Sequence, residues 1–212
     1  IGTGGSGTVY LADDVSLGRR VAVKVLHTAA ADDPVFIRQF RTEAQAVASL
    51  SSPHVVDVYD WGVDGQAYLV TEYLGGGSLR SILASGRTLS PSQVLMVALE
   101  ACRGLDHAHS RSLVHRDVKP ANLLLEPTGT GRPRLLLADF GIAVVAGDSR
   151  LTRVPGPVGT DGFVPPELAG GGPATPSQDL YAAGVVGTLL LTGAGPTAPV
   201  PPGPLAPLLT AL

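Results

Sequence analysis

HRDVKPAN, residues 115–122, decides the reading of this chain. Those eight positions hold an imidazole, a guanidinium, a carboxylate, an ammonium and a carboxamide. The 212 residues include only two lysines, Lys24 and Lys119, and one asparagine, Asn122, against 13 arginines. Arginine therefore serves wherever a surface cation suffices, and a retained lysine marks a place that needs a compact, strongly hydrated ammonium. One of the two lysines and the lone asparagine stand together here.

Composition bounds the function classes. Hydrophobic residues make up 44% and charged residues 16%, enough for a core in one large domain or two small lobes. A formal net charge of −3 gives no electrostatic case for a nucleic-acid partner. The lone Cys102 excludes an intrachain disulfide and a cysteine-cluster metal site, and it fits a reducing compartment. The opening residues do not read as a signal peptide. The most apolar run, 180–192 (LYAAGVVGTLLLT), is about a dozen residues against the roughly 20 that span a bilayer. It reads as a buried core helix.

Outward from 115–122, the chain changes texture once. β-branched runs at 9–11 and 21–26, with Asp13-Asp14 and Gly18 between them, predict paired strands. Pro34 opens a helix with Phe36, Phe40, Ala44, Val47 and Ala48 on one face. Strands follow at 55–59 and 67–73, joined around Asp64-Gly65. Gly75-Gly76-Gly77 reads as a flexible break, after which most of the chain is expected to be helix or loop. Residues 78–85 predict a short helix, and Ser90-Pro91 caps a longer one reaching about Ser110. Gly and Pro concentrate at 155–173 and 193–207, which read as loops.

Three further motifs complete the pattern. Gly2-x-Gly4-x-x-Gly7 runs into a strand instead of a helix, which suits a glycine-rich hairpin laid over nucleotide phosphates. Lys24 follows in a Val-Ala-Val-Lys strand, with Glu43 on the next helix as its expected partner. Asp139-Phe140-Gly141 comes after an apolar strand at 135–138. Asp and Asn supply the hard oxygen ligands that Mg²⁺ takes.

Taken in this order, these motifs resemble the eukaryotic-type serine/threonine protein kinase family, in a bacterial and actinobacterial-like form that the arginine-rich composition suits. The resemblance implies an α+β bilobal fold: an N-lobe and hinge at 1–74, with a small antiparallel sheet and one main helix, and a larger, mainly helical C-lobe at 75–212. It implies transfer of the γ-phosphoryl group of ATP to Ser/Thr hydroxyls of proteins, using Mg²⁺ or, as a substitute, Mn²⁺. Asp117, Lys119, Lys24 and Glu43 would be the catalytic set, with Asn122 and Asp139 on the metal. Gly2, Gly4, Gly7, Val9, Ala22, Lys24, Glu72, Leu74 and Leu124 would hold the nucleotide, Glu72 and Leu74 through their backbones. Thr71 would guard the inner pocket. Asp179 resembles the buried aspartate that braces the catalytic loop, and Pro165-Pro166-Glu167 resembles the end of the activation segment.

Arg116 implies control by phosphorylation, with Thr152 as the autophosphorylation site and Thr160 contacting Asp117 and Lys119. The expected partners are ATP, protein substrates and a second kinase copy for trans-autophosphorylation, with no nucleic acid and no membrane contact by this segment. The expected location is cytoplasmic, within a parent that a region elsewhere could anchor. Both ends read as truncated relative to the family, and no arginine follows Arg153 to pair with Glu167. The alternative reading is a catalytically weak fragment or a pseudokinase scaffold.

Overall fold

The computed structural model describes residues 1–5, 7–27, 33–141, 161–165, 174–195 and 198–211. Contacts divide these into two units, one built on Ile1–Tyr73 with Gly141, the other on Leu74–Phe140 with the described residues from 161 onward.

The first unit is an antiparallel sheet of β1 (Gly2–Gly4), β2 (Gly7–Asp14), β3 (Arg19–Leu26), β4 (Val58–Asp64) and β5 (Gln66–Glu72), in the order β1-β2-β3-β5-β4. β3 is central because its Val-Ala-Val-Lys-Val run fits a half-buried pleated surface. Its register sets Val9 opposite Lys24 and Leu11 opposite Ala22 on one side, and Leu69 and Thr71 opposite the same pair on the other. Directly paired residues share a face, so Val9, Ala22, Lys24, Leu69 and Thr71 line one side of the sheet.

Helix α1 (Pro34–Ala48) begins at Asp33, whose carboxylate accepts from Val35 N at 2.8 Å, with Pro34 at the first helical position. Its buried stripe is Phe36, Phe40, Ala44 and Val47. Phe36 stacks on Phe40 at 5.9 Å, and Trp61 of β4 meets Phe40 edge-on at 6.0 Å. The fourth strand differs from expectation, starting at Val58 instead of 55. Val55 and Val56 are buried in succession, at 2% and 6% exposure, which a half-buried strand with alternating faces does not do. Their apolar character reports core packing, while the strand itself carries Tyr59, Asp60 and Trp61 past a register shift.

The second unit is built on α3 (Pro91–His109) and α4 (Pro176–Thr192), with α5 (Ala206–Ala211) on α4 and α2 (Leu79–Ala84) against residues 120–126. Ser90 and Gln93 form a reciprocal cap at the start of α3. α4 is the expected buried helix, with Ala182, Ala183, Val186 and Leu190 all under 5% exposed. Among the described residues no helix is long and apolar enough to cross a membrane.

Two expectations need correction. Residues 75–77 are not a flexible break. Gly76 N donates to Leu125 O at 3.0 Å and Leu125 N to Gly77 O at 2.9 Å, and a Cβ on Gly76 would overlap the Leu125 carbonyl. The glycine is there for close backbone approach. The stretch after 75 also contains a second sheet, β6 (Leu123–Glu126) paired with β7 (Arg134–Leu137). Only its second strand was expected; β6 and β7 are both short leucine runs with no alternation to mark them.

Candidate active site

β6 and β7 explain how distant motifs meet. Leu123 pairs with Leu137, so the residues just outside, Asn122 before β6 and Ala138-Asp139 after β7, emerge at the same end of the hairpin. Ala138 N donates to Asn122 O at 2.9 Å and continues the ladder one step. The preceding loop is tied to this end through His115, which is fully buried. Its Nε2 bonds Ala138 O at 3.0 Å, and its Nδ1 accepts from Asp117 N at 3.3 Å. Those roles fit one neutral tautomer, with hydrogen on Nε2. Burial pushes the His115 pKa down, against the opposing pull of Asp179 and Asp117, and keeps the ring neutral. Its other neighbour is Phe140, with ring centroids 4.5 Å apart.

The Asp117 carboxylate is held from two sides. Lys119 Nζ lies 2.8 Å from Oδ1 and 2.7 Å from Oδ2, and Asn122 Nδ2 donates to Oδ2 at 2.9 Å and to the Asp117 carbonyl at 2.8 Å. Asp117 and Lys119 keep about a third of their side chains exposed, so the ion pair adds little stability. Its consequence is orientation. Because both Asn122 donor contacts go to Asp117, the amide Oδ1 turns away from it.

Arg116 and Asp139 adopt left-handed backbone angles, φ +69° and +58°, rare for residues with a Cβ and concentrated where function over-determines the chain. Arg116 is held by its N–H, which donates to Asp179 Oδ1 at 2.8 Å, while its side chain is exposed. A cavity of about 70 Å³ adjoins this loop, lined by Asp117, Lys119, Phe163, Pro165, Gln178 and Asp179 among others. Sequence reasoning passed over Gln178, which is buried at 9% exposure four residues before Ala182. A polar amide in the first turn of an otherwise apolar helix was the available signal.

In the first unit, the glycine-rich hairpin pairs Gly2 with Val9 and Gly4 with Gly7. Gly7 is required internally, because a Cβ there would strike the Val25 carbonyl. Gly2, Gly4 and Gly5 differ: a Cβ would meet nothing within 4 Å, and none has positive φ. Nothing in the chain's own packing demands glycine at those three positions. Lys24 is half-buried at mid-strand beside Ala22 and Val9. Glu43 is half-buried on the α1 face that carries Phe40 and Val47.

Glu72 ends β5, with its N–H committed to Asp57 O at 2.9 Å and its carbonyl receiving the Thr71 hydroxyl at 3.3 Å. Leu74 is buried and Leu124 half-buried in the second unit. Thr152, Thr160, Pro166 and Glu167 lie outside the described residues.

Mg²⁺ fits the donor set at the β6–β7 end. Asn122 and Asp139 offer a carbonyl and a carboxylate oxygen, and among the described residues no group of three or more His, Cys, Asp or Glu forms an all-protein cage. One or two protein oxygens completed by water and phosphate are the usual habit of this ion.

An antiparallel-sheet unit with one helix, followed by a mainly helical unit carrying a His-Arg-Asp loop and an Asp-Phe-Gly turn, is the architecture of protein kinases. The comparisons agree. The profile of the protein kinase domain matches residues 1–200. The serine/threonine-protein kinase PrkC of Bacillus subtilis is 39% identical over 194 residues, covering 91% of this chain and 29% of PrkC. The serine/threonine-protein kinase PknA of Mycobacterium tuberculosis is 42% identical over 204 residues, covering 93% of this chain and 46% of PknA. The crystal structure of the Mycobacterium tuberculosis PknI kinase domain superposes with a TM-score of 0.76 at 32% identity, covering 99% of this chain and 84% of that domain. This chain belongs to the protein kinase domain family. It spans less than half the length of PrkC or PknA.

Proposed function

We propose that this chain, with 1–74 and 75–212 as its lobes, is the catalytic domain of an ATP-dependent serine/threonine protein kinase. The observation that carries the reading is the Asp117 carboxylate, oriented by Lys119 and Asn122 at the same hairpin end as Asp139. The substrate hydroxyl oxygen attacks the γ-phosphorus, the bond to the β–γ bridging oxygen breaks, and ADP leaves with that electron pair. Asp117 orients the hydroxyl and takes its proton, while Lys119 faces the transferred group and offsets its charge. Asn122 and Asp139 would hold Mg²⁺, which when bound would supply charge neutralisation for the phosphates. Lys24, fixed by Glu43, holds phosphate oxygens, and the glycine hairpin brings backbone N–H groups close. Three glycines that no internal packing requires support that last role. Val9, Ala22 and Leu124 would pack on the adenine, with Glu72 and Leu74 reading its edge.

The protein substrates, trans-autophosphorylation by a second copy at Thr152, and pairing of that phosphate with Arg116 belong to the same proposal. Thr160 contacting Asp117 and Lys119, a cytoplasmic location for this domain, and Mn²⁺ as a substitute ion belong to it too. The test is transfer of labelled γ-phosphate to the protein itself and to a generic protein acceptor, with Asp117→Ala as control. Metal-dependent transfer by wild type and its loss in the variant is expected. Equal, metal-independent signals would refute the enzyme and leave a nucleotide-binding scaffold.

A further inference from the structure

Leu123-Leu124-Leu125 of β6 lies opposite Leu137-Leu136-Leu135 of β7. Register is usually fixed by side chains, because a slip of one place turns the buried set of a strand to the wrong face. That rule has little force here. Leu135, Leu136 and Leu137 are all buried, at 2%, 1% and 0% exposure, so both faces of β7 accept leucine. A slipped β7 still sets leucine against leucine over part of the run. Yet the register decides the site, because each place of slip moves Asp139 about 3.3 Å relative to Asn122.

The grips that fix each strand lie outside the pair. Ala138 N bonds Asn122 O in the ladder, so by alternation Leu125 and Leu135 form a non-bonded pair whose N–H groups point away from each other. Leu125 gives its N–H to Gly77 O at 2.9 Å and takes Gly76 N at 3.0 Å. Leu135 gives its N–H to α3, where Glu100 Oε2 accepts it at 2.7 Å. The same cross-strand pair is thus held from both outer edges, β6 by a backbone strap and β7 by one side chain.

Glu100 Oε1 also accepts from Arg132 Nη2 at 2.8 Å, and only 13% of the Glu100 side chain is exposed. A mostly covered carboxylate makes a strong, charge-assisted bond to an amide, and the amide is left unsatisfied if the carboxylate goes. The Glu126–Arg134 pair spans the two strands as well, but both side chains are about a third exposed, so it holds weakly.

We propose that Glu100 is a positioning residue for Asp139. It pins the register of β7 against β6 and so sets Asp139 beside Asn122. This rests on the kinase reading, which assigns those two residues to Mg²⁺. Glu100 grips the strand four residues before Asp139, about 13 Å away along it. Neither of its partners, Leu135 and Arg132, is assigned to nucleotide, metal or substrate.

Three variants of the full-length protein separate the two bonds. Glu100→Leu removes both, Glu100→Gln keeps an acceptor for Leu135 N without the charge, and Arg132→Ala removes only the surface pair. Hydrogen exchange without nucleotide or metal reads the pin itself. Glu100→Leu should speed exchange at Leu135 about tenfold while the α4 amides hold. In steady-state transfer at fixed ATP, the Mg²⁺ concentration for half-maximal rate should rise about fivefold in Glu100→Leu. Glu100→Gln and Arg132→Ala should stay within about twofold of wild type in both measurements. A role confined to stability would lower the melting temperature and leave the Mg²⁺ requirement where it is.

Unchanged exchange at Leu135 in Glu100→Leu would overturn the proposal. So would faster exchange with an unaltered Mg²⁺ requirement, a loss that Glu100→Gln fails to relieve, or an equal loss in Arg132→Ala. If Glu100→Leu does not fold, Glu100→Ala takes its place with the same expectations. Absence of transfer by wild type would refute the kinase reading instead, and exchange at Leu135 would still decide the Glu100 pin.

Discussion

At the scale of single residues, the loop 115–122 concentrates polar groups bonded to one another and, beyond the loop, to Ala138 and Asp179. Asp117→Asn keeps the shape and the Asn122 contact but removes the base and weakens the Lys119 pair. Transfer should fall about 10²–10⁴-fold while the melting temperature stays within a few degrees, which a kinetic assay beside a thermal scan checks. His115 makes a pH prediction. Its folded pKa lies below the ordinary 6.5, so the unfolded chain binds the proton first as pH falls. Stability is therefore full above about 6.5 and is lost below it, by up to about 1.4 kcal/mol per pH unit, until the folded ring itself protonates. Urea midpoints at pH 7.5 and 5.5 should diverge more for wild type than for His115→Phe, which keeps the ring and cannot titrate. The scarce residue types made this site legible in sequence, since both lysines and the asparagine fall at assigned positions. Glu100 was not legible. Nothing in its neighbourhood in the chain points to Leu135, 35 residues on, and only the packing of α3 against β7 joins them.

At the scale of elements, legibility followed local chemistry. Helices with a cap and a periodic stripe could be read almost to the residue: α1 from Pro34 and its phenylalanines, α3 from Ser90-Pro91. Most strands were found, including the apolar run of β7, while β6 and the true start of β4 were not: β6 is a short leucine run directly after the 120–122 turn, and the buried Val55-Val56 pair imitates a strand before β4 begins. The glycine run at 75–77 shows the same failure from the other direction. Composition alone cannot separate a glycine that frees the backbone from one that lets two backbones touch. Gly76→Ala separates them: the added methyl must displace the Leu125 carbonyl and break the paired contacts there. A loss of about 2 kcal/mol is expected by urea unfolding, of the size that steric strain and broken hydrogen bonds produce. Gly75→Ala is the control, and similar small losses in both variants would restore the flexible-break reading. Ser90→Ala should cost about 1 kcal/mol by the same measurement, through the lost cap on Gln93 N.

At the scale of the whole molecule, the assigned residues make different demands on one ligand, and linkage can tell them apart. Anything that binds only the folded chain stabilises it by about 2.7 kcal/mol at a concentration 100 times its dissociation constant. ATP with Mg²⁺ should therefore raise the thermal midpoint, and chelation with EDTA should remove the metal-dependent part and leave a smaller shift from the nucleotide alone. Asn122→Ala and Asp139→Asn remove proposed metal oxygens, so their midpoints with ATP should no longer respond to Mg²⁺, while the metal-free shift persists. Lys24→Met removes a phosphate contact, and it should weaken the response to ATP with or without the metal. Mn²⁺ should substitute for Mg²⁺ in wild type and fail in the same two variants, because the donors are oxygens in both cases. If Lys24→Met and Asp139→Asn instead give identical profiles under all four conditions, the separate assignment of phosphate and metal ligands is wrong. The roles of those two residues would then have to be redrawn from the glycine hairpin and the β6–β7 end.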